Sequence, residues 1–222
     1  MKKQPLVSII MLTHNAPEYV KTSITTLEKT TDIPYELITV DNKSEQKTRK
    51  VLLKSFAKGK INKLLFLDEN TLFAKGNNAG EKICHKDSKY ILLLNSDVEI
   101  IDQYWLKKML NVHKRGITSL GFVAGNPYDR ADGYCFLIDK DLYEKHHGLD
   151  ENFEWFWSIT LIQAKILKEN LSVIAVKDHE KLLHHFGGAS GGDWQGAKGM
   201  DVDTKNVIKW FSNKQIKTLD TL

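Results

Sequence analysis

The chain has 222 residues, 41% hydrophobic and 27% charged, which excludes a disordered polypeptide and leaves room for one substantial core. Thirty-two Lys and Arg against 28 Asp and Glu give a formal charge of +4 from scattered lysines, which suits a small anionic ligand and leaves no nucleic-acid footprint. Cys84 and Cys135 stand far apart without Cys-x-x-Cys spacing, so neither a zinc site nor a disulfide framework is indicated, and a reducing cytoplasm is the expected setting.

Met1-Lys2-Lys3 ahead of Leu6 to Leu12 has the outline of a signal peptide, but the apolar stretch is short, broken by Ser8, and lacks a cleavage site. It reads instead as a first buried strand, Val7 to Leu12, leading into Thr13-His14-Asn15. Asn15 is placed to cap the next helix, with Pro17 in its first turn and Val20, Ile24 and Leu27 on one face. Tyr35 to Val40 is a second strand, ended by the turn Asp41-Asn42-Lys43-Ser44. A helix with Val51, Leu52 and Phe56 on its apolar side follows, then a third strand from Ile61 to Leu67. The polar, glycine-rich segment Glu69 to Gly80 opens another helix.

The run Tyr90-Ile91-Leu92-Leu93-Leu94 is bounded by polar residues, the pattern of a strand buried on both faces. Asn95-Ser96-Asp97 then falls at the rim of the sheet, where open α/β sheets bind ligands. One carboxylate there can hold a divalent cation and leave coordination positions for phosphate oxygens; an ordinary Asn/Asp turn is the competing reading. A helix across Trp105, Met109 and Val112 completes a βαβαβα order, which predicts right-handed crossovers and a largely parallel sheet. Loops after successive strands then gather Thr13, Asp41, Asn70 and Asp97 on one rim. Downstream, Gly133 to Asp139 reads as a strand, Lys140 to His146 as a short helix, Phe156 to Glu169 as a helix and Ser172 to Val176 as a final strand. A glycine-rich loop from His184 to Gly192 and a basic tail close the chain. No segment reaches the length of a bilayer span.

Taken together, these residues resemble a family 2 glycosyltransferase of the GT-A fold over Val7 to about Ser190. Val7 to Asn15 is similar to the family's first strand and its nucleotide-contacting turn. Tyr35 to Ser44 is similar to the second strand, whose Asp contacts base or ribose. Asn70 to Gly80 matches the family's Asn-x-Gly-Phe-Ala-x-Gly-Asn-Asn-x-Gly loop, with Leu72 where a glycine is usual. Leu94-Asn95-Ser96-Asp97 resembles its metal motif, Gly133 to Ile138 its acceptor-side strand, Gly148 to Phe153 the segment before its catalytic helix, and His184 or His185 with Gly187-Gly188 its late His-x-Gly-Gly element.

The resemblance implies a single domain, a three-layer α/β sandwich on a mostly parallel sheet, with residues 7–132 binding a nucleotide-diphospho-sugar, 133–192 facing the acceptor and 193–222 as a tail. It implies transfer of the sugar, with inversion, to a hydroxyl of a saccharide or glycoconjugate in cell-surface polysaccharide synthesis. Mg²⁺ or Mn²⁺ would sit on Asp97 with His184 and His185 as further metal candidates. Thr13, His14, Asn15, Asp41, Asn42, Asn70, Lys75, Gly76, Asn78 and Asn95 are the implied donor-site residues. Backbone N–H groups around Gly76 are expected to face the diphosphate. A cytoplasmic location is expected, with attachment to the inner membrane face left open, as is the oligomeric state.

Inverting transfer also needs a base for the acceptor proton. Ser158, Ile159 and Leu161 stand where the family carries acids, and none of them can serve. Glu154, one turn earlier, is the stand-in, with Asp150 and Glu151 as alternatives. A chain that has kept nucleotide binding without catalysis is the competing reading. Trp155, Phe156 and Trp157 form either a sugar platform or part of the core. An NAD-type oxidoreductase is disfavoured because Thr13-His14-Asn15-Ala16-Pro17 replaces Gly-x-Gly-x-x-Gly after the first strand, and a P-loop NTPase because Gly76 to Gly80 lacks Gly-Lys-Ser/Thr.

Overall fold

The computed structural model describes residues 6–30, 33–189 and 193–222, without the side chains of 193 and 194. Ser190, Gly191 and Gly192 of the glycine-rich loop, and Met1 to Lys3, lie outside the described residues. The strands are β1 (Val7–Thr13), β2 (Tyr35–Asp41), β3 (Lys63–Phe66), β4 (Tyr90–Leu94), β5 (Val98–Ile100), β6 (Gly116–Ser119), β7 (Phe122–Val123), β8 (Arg130–Ala131), β9 (Cys135–Asp139), β10 (Ser172–Val176), β11 (Leu183–His185) and β12 (Lys217–Leu219). The helices are α1 (Pro17–Leu27), α2 (Gln46–Ala57), α3 (Leu72–Glu81), α4 (Trp105–Val112), α5 (Lys140–Lys145), α6 (Trp157–Lys168) and α7 (Thr204–Phe211).

Among the described residues the main sheet has eight strands in the order β12-β10-β6-β9-β4-β1-β2-β3. β9 runs antiparallel to both β4 and β6, and every other pairing in this sheet is parallel. Ser172–Val176 is therefore not the last strand, and the expected tail is built in. β12 hydrogen-bonds to β10, and Phe211 of α7 is fully buried.

Alternation along each strand sends side chains to two separate cores. Ile9, Met11, Leu92, Leu94 and Leu137 pack on one face with Val20, Ile24 and Leu27 of α1, Leu52 of α2 and Trp105 of α4. Ile10, Ile38, Leu93 and Phe136 pack on the other with Ala74 of α3, Tyr143 of α5, Ile162 of α6 and Phe211 of α7. This is a sheet between two helical layers, as expected, and it explains why the strands read as continuous apolar runs. Each such aliphatic side chain contributes about 1.5–3 kcal/mol relative to exposure. Phe56, expected on the apolar face of α2, is instead 45% exposed because that helix buries only its Leu52 side against the edge of the sheet.

Candidate active site

The C-terminal ends of β1, β2, β3 and β4 open onto a cleft of two adjoining chambers of about 350 and 360 Å³. Phe73, Asn95 and Trp155 line both, so the chambers share a wall. His14, Asn42, Asn70, Asp97, His185 and Ala189 all line the first chamber.

The nucleotide-side loops are stitched to one another. Asn42 N–H donates to the Thr13 carbonyl at 2.8 Å, and His14 Nδ1 donates to the Asn42 carbonyl at 2.7 Å. The Asn42 amide donates to Asn70 Oδ1 at 2.7 Å and accepts from Thr71 N–H at 2.7 Å. These bonds fix the floor of the chamber before any ligand arrives.

Asp97 lies three residues beyond the end of β4 at Leu94, and β5 begins at Val98. β5 pairs antiparallel with β11 in a register that sets His185 opposite Val98 and His184 opposite Glu99. His185 Nε2 consequently lies 3.3 Å from Asp97 Oδ1 and 3.4 Å from the Asn95 amide. The imidazole stacks on Tyr134 with centroids 4.2 Å apart and planes 9° from parallel. The Ser23 hydroxyl fixes the backbone on both sides of Asp97, donating to the Ser96 carbonyl at 2.9 Å and accepting from Val98 N–H at 3.0 Å. Asp97 is only 8% exposed. Burial works against its charge, but the hydrogen bond and charge of His185 and backbone N–H donors outweigh that, holding the carboxyl below the usual range.

Several expected site residues lie elsewhere. Alternation turns His184 outward, where its Nδ1 lies 3.0 Å from Glu180. Thr13 is fully buried and donates to the Val40 carbonyl. Asp41 is also fully buried, with Oδ2 2.9 Å from Arg49 Nε and Ser44 N–H donating to its carboxylate. Asn15 does not cap α1. It adopts φ 55°, donates its N–H to Ser44 Oγ and accepts Glu45 N–H at 2.8 Å, while Ala16 occupies the cap position without a side-chain bond. Lys75 is exposed and paired with Glu69 at 3.0 Å. Gly76 lies inside α3, where an added Cβ would meet Leu12 at 2.5 Å, so its role is close helix–strand contact. Asn78 joins α3 to the chain beyond α5, accepting from Tyr143 O–H at 2.7 Å and from Leu149 N–H at 2.9 Å.

The donors at the start of α3 are also taken. Phe73 and Ala74 N–H groups reach the Glu154 carbonyl at 3.0 and 3.3 Å, and Leu72 N–H reaches Asn70 Oδ1 at 3.1 Å. They do not face the cleft as free anion donors. The Glu154 carboxylate accepts Lys198 N–H at 2.7 Å and lines neither chamber. Glu151 Oε1 accepts from the Asn78 amide, and Asp150 Oδ1 from Asn152 N–H. None of the three expected bases thus lines the cleft. Of the aromatic trio, Trp155 and Phe156 line the second chamber, while Trp157 turns away to donate to the Met200 carbonyl at 3.1 Å.

Sequence reading missed Tyr134 as the plate beneath His185, and Arg130 and Asp132 as walls of the second chamber. The turn signal Asp132-Gly133 ahead of β9 was the available clue.

The donor set at Asp97 fits a divalent ion. An ionised carboxylate and one imidazole supply hard and borderline ligands, and leave positions for phosphate oxygens and water. Among the described residues no group of three or more His, Cys, Asp or Glu side chains converges to enclose an ion.

The sequence model of glycosyl transferase family 2 matches residues 8–166, well over half of the chain. The chain belongs to that family. A curated relative, the O-antigen biosynthesis protein RfbC of Myxococcus xanthus, is 21% identical over 82% of this chain and 17% of its own length. Among solved structures, TarS of S. aureus in complex with UDP aligns over 72% of this chain and 54% of its own, with a TM-score of 0.57 at 18% identity. Mannosyltransferase PcManGT of Pyrobaculum calidifontis, in complex with GDP-Man and Mn²⁺, aligns over 80% of this chain and 56% of its own, with a TM-score of 0.64 at 16% identity. The family 2 chain thus spans about a sixth of the curated relative and about half of each of these neighbours. At such identities the neighbours establish the GT-A fold. Among the described residues of the family 2 chain, no helix is long and apolar enough to cross a membrane.

Proposed function

We propose that this chain transfers a sugar, with inversion, from a nucleotide-diphospho-sugar to a hydroxyl of a saccharide or glycoconjugate acceptor, in the synthesis of a cell-surface polysaccharide. The observation that carries this is Asp97 held ionised beside His185 in a chamber also lined by His14, Asn42 and Asn70. The nucleoside fits against His14, Asn42 and Asn70, and the diphosphate lies toward Asp97 and His185. Asp97 and His185 would hold Mg²⁺ or Mn²⁺, which supplies neutralisation of the charge developing on the leaving diphosphate. Asn95, on the wall common to both chambers, places the transferred sugar between donor and acceptor. Trp155 presents an apolar face to that sugar and excludes water from it.

The UDP complex of one neighbour, the GDP-Man and Mn²⁺ complex of the other, and the O-antigen relative support this reading. A thermal-shift screen of nucleoside diphosphates and their sugars, with and without Mn²⁺, tests it, because a ligand selective for the native state raises its melting temperature. Stabilisation by at least one diphosphate, strengthened by Mn²⁺ and weakened in Asp97→Ala, is expected. No response to any nucleotide removes the donor site.

A further inference from the structure

Among the described residues that line the second chamber, Asp132 is the one carboxylate. β4 and β9 pair antiparallel with Leu94 opposite Cys135, and the Asn95 N–H continues the ladder to the Tyr134 carbonyl at 2.8 Å. Asp97 lies three residues beyond Leu94, and Asp132 three residues before Cys135. The two acids therefore leave adjacent strands at the same edge of the sheet, one in each chamber, with Asn95 on the wall between them.

Asp132 is held in place by its own backbone. Its N–H donates to the Gly121 carbonyl at 3.0 Å, its carbonyl accepts from Ser119 Oγ at 2.6 Å, and Oδ1 accepts Gly133 N–H at 2.6 Å. Among the described residues Oδ2 makes no further hydrogen bond. The same chamber is lined by Ile159, one of the residues at which the family's acids were expected, and its Cγ1 lies 2.9 Å from where a Gly133 Cβ would be. The apolar wall and the carboxylate thus meet within one residue of each other.

We infer that Asp132 is the base of the transfer reaction, replacing from the turn before β9 the acid that α6 lacks. This rests on the proposed transferase reading. The acceptor oxygen attacks the anomeric carbon as its proton passes to Asp132. The new C–O bond forms, the bond from that carbon to the diphosphate oxygen breaks, and its electron pair leaves with the nucleoside diphosphate.

The test measures release of nucleoside diphosphate from UDP- and GDP-sugars in Mn²⁺, with water as the acceptor probe, in wild type, Asp132→Asn, Asp132→Glu and Glu154→Gln. Nucleotide binding and melting temperature are recorded for each. Asparagine keeps the bond to Gly133 N–H, so Asp132→Asn should bind nucleotide as wild type does. Its kcat should fall about 10²–10⁴-fold with KM for the sugar nucleotide little changed. Asp132→Glu should recover part of the rate, and Glu154→Gln should retain it. Undiminished turnover in Asp132→Asn overturns the assignment, as does loss of nucleotide binding or folding along with turnover. Wild type that binds nucleotide without turning it over also overturns it, whereas wild type that binds none overturns the donor site itself.

Discussion

His185 lies face to face with Tyr134, and its Nε2 sits 3.3 Å from Asp97 Oδ1. The ring orientation is set by stacking, and Tyr134 is itself fixed by a bond from its hydroxyl to the Leu120 carbonyl. Tyr134→Leu should therefore loosen His185 and weaken the Mn²⁺-dependent part of nucleotide binding. Tyr134→Phe keeps the plate and loses one buried hydrogen bond, a cost of about 1 kcal/mol, with the Mn²⁺ response retained. Melting curves of both variants with UDP, with and without Mn²⁺, check this. An equal Mn²⁺ response in Tyr134→Leu would show that stacking does not position the imidazole.

Leu72 has a φ of 57°, in the left-handed region that favours glycine. A left-handed conformation costs a side-chain-bearing residue about 1–2 kcal/mol. Leu72→Gly should consequently leave stability within about 1 kcal/mol of wild type, against the ~2–5 kcal/mol typical of truncating a buried leucine. Urea unfolding measures the difference. A loss in the range of a core truncation would mean that contacts of the side chain outweigh backbone strain.

How far the sequence showed these features depended on whether the backbone or the side chain carried them. Near-continuous apolar runs in Val7 to Leu12 and Tyr90 to Leu94, each ended by polar residues, made two-sided burial and the rim position of Asp97 legible. The direction of a side chain within a turn is not visible in that way. Asp41 and Thr13 lie at the right rim yet point inward, to Arg49 and to the Val40 carbonyl. A shift of one residue separates His185 in the cleft from His184 outside it. β12 was missed because three residues, Lys217–Leu219, carry almost no periodic signal and gain their place only by pairing with β10. Asp132 was missed because the pairing of β4 with β9, distant in sequence, is what brings it to the chamber that Asn95 lines.

Asn78, expected to touch the donor, is a structural clasp. Its side chain accepts from Tyr143 and Leu149 and donates to the Leu149 carbonyl at 2.8 Å and to Glu151. Asn78→Ala leaves buried partners unsatisfied, and a loss of about 2–4 kcal/mol is expected, at a few unmade bonds of ~1 kcal/mol each. Nucleotide affinity of the folded fraction, measured by calorimetry below the melting transition, should remain that of wild type. A selective loss of affinity without loss of stability would return Asn78 to the donor site.

Glu36 sits 5% exposed in β2. Burial opposes its charge, yet the Ser8 hydroxyl at 2.6 Å, the His85 N–H and Lys63 at 3.0 Å together hold its pKa below the ordinary value of 4.5. A folded value below the unfolded one stabilises the fold fully above pH 4.5, and that stability is lost as pH falls through the lower folded value. Glu36→Gln should thus be less stable than wild type at neutral pH by about 1–3 kcal/mol. The gap should close in acid. Denaturation at neutral pH and well below 4.5 decides it, and a gap that stays constant with pH would remove the ionic contribution.

The most direct measurement is a crystal structure of the chain with UDP or GDP and Mn²⁺. The nucleoside should lie against His14, Asn42 and Asn70, with the ion bonded to Asp97 and to diphosphate oxygens. A nucleotide bound elsewhere, or an ion that ignores Asp97, would contradict the account.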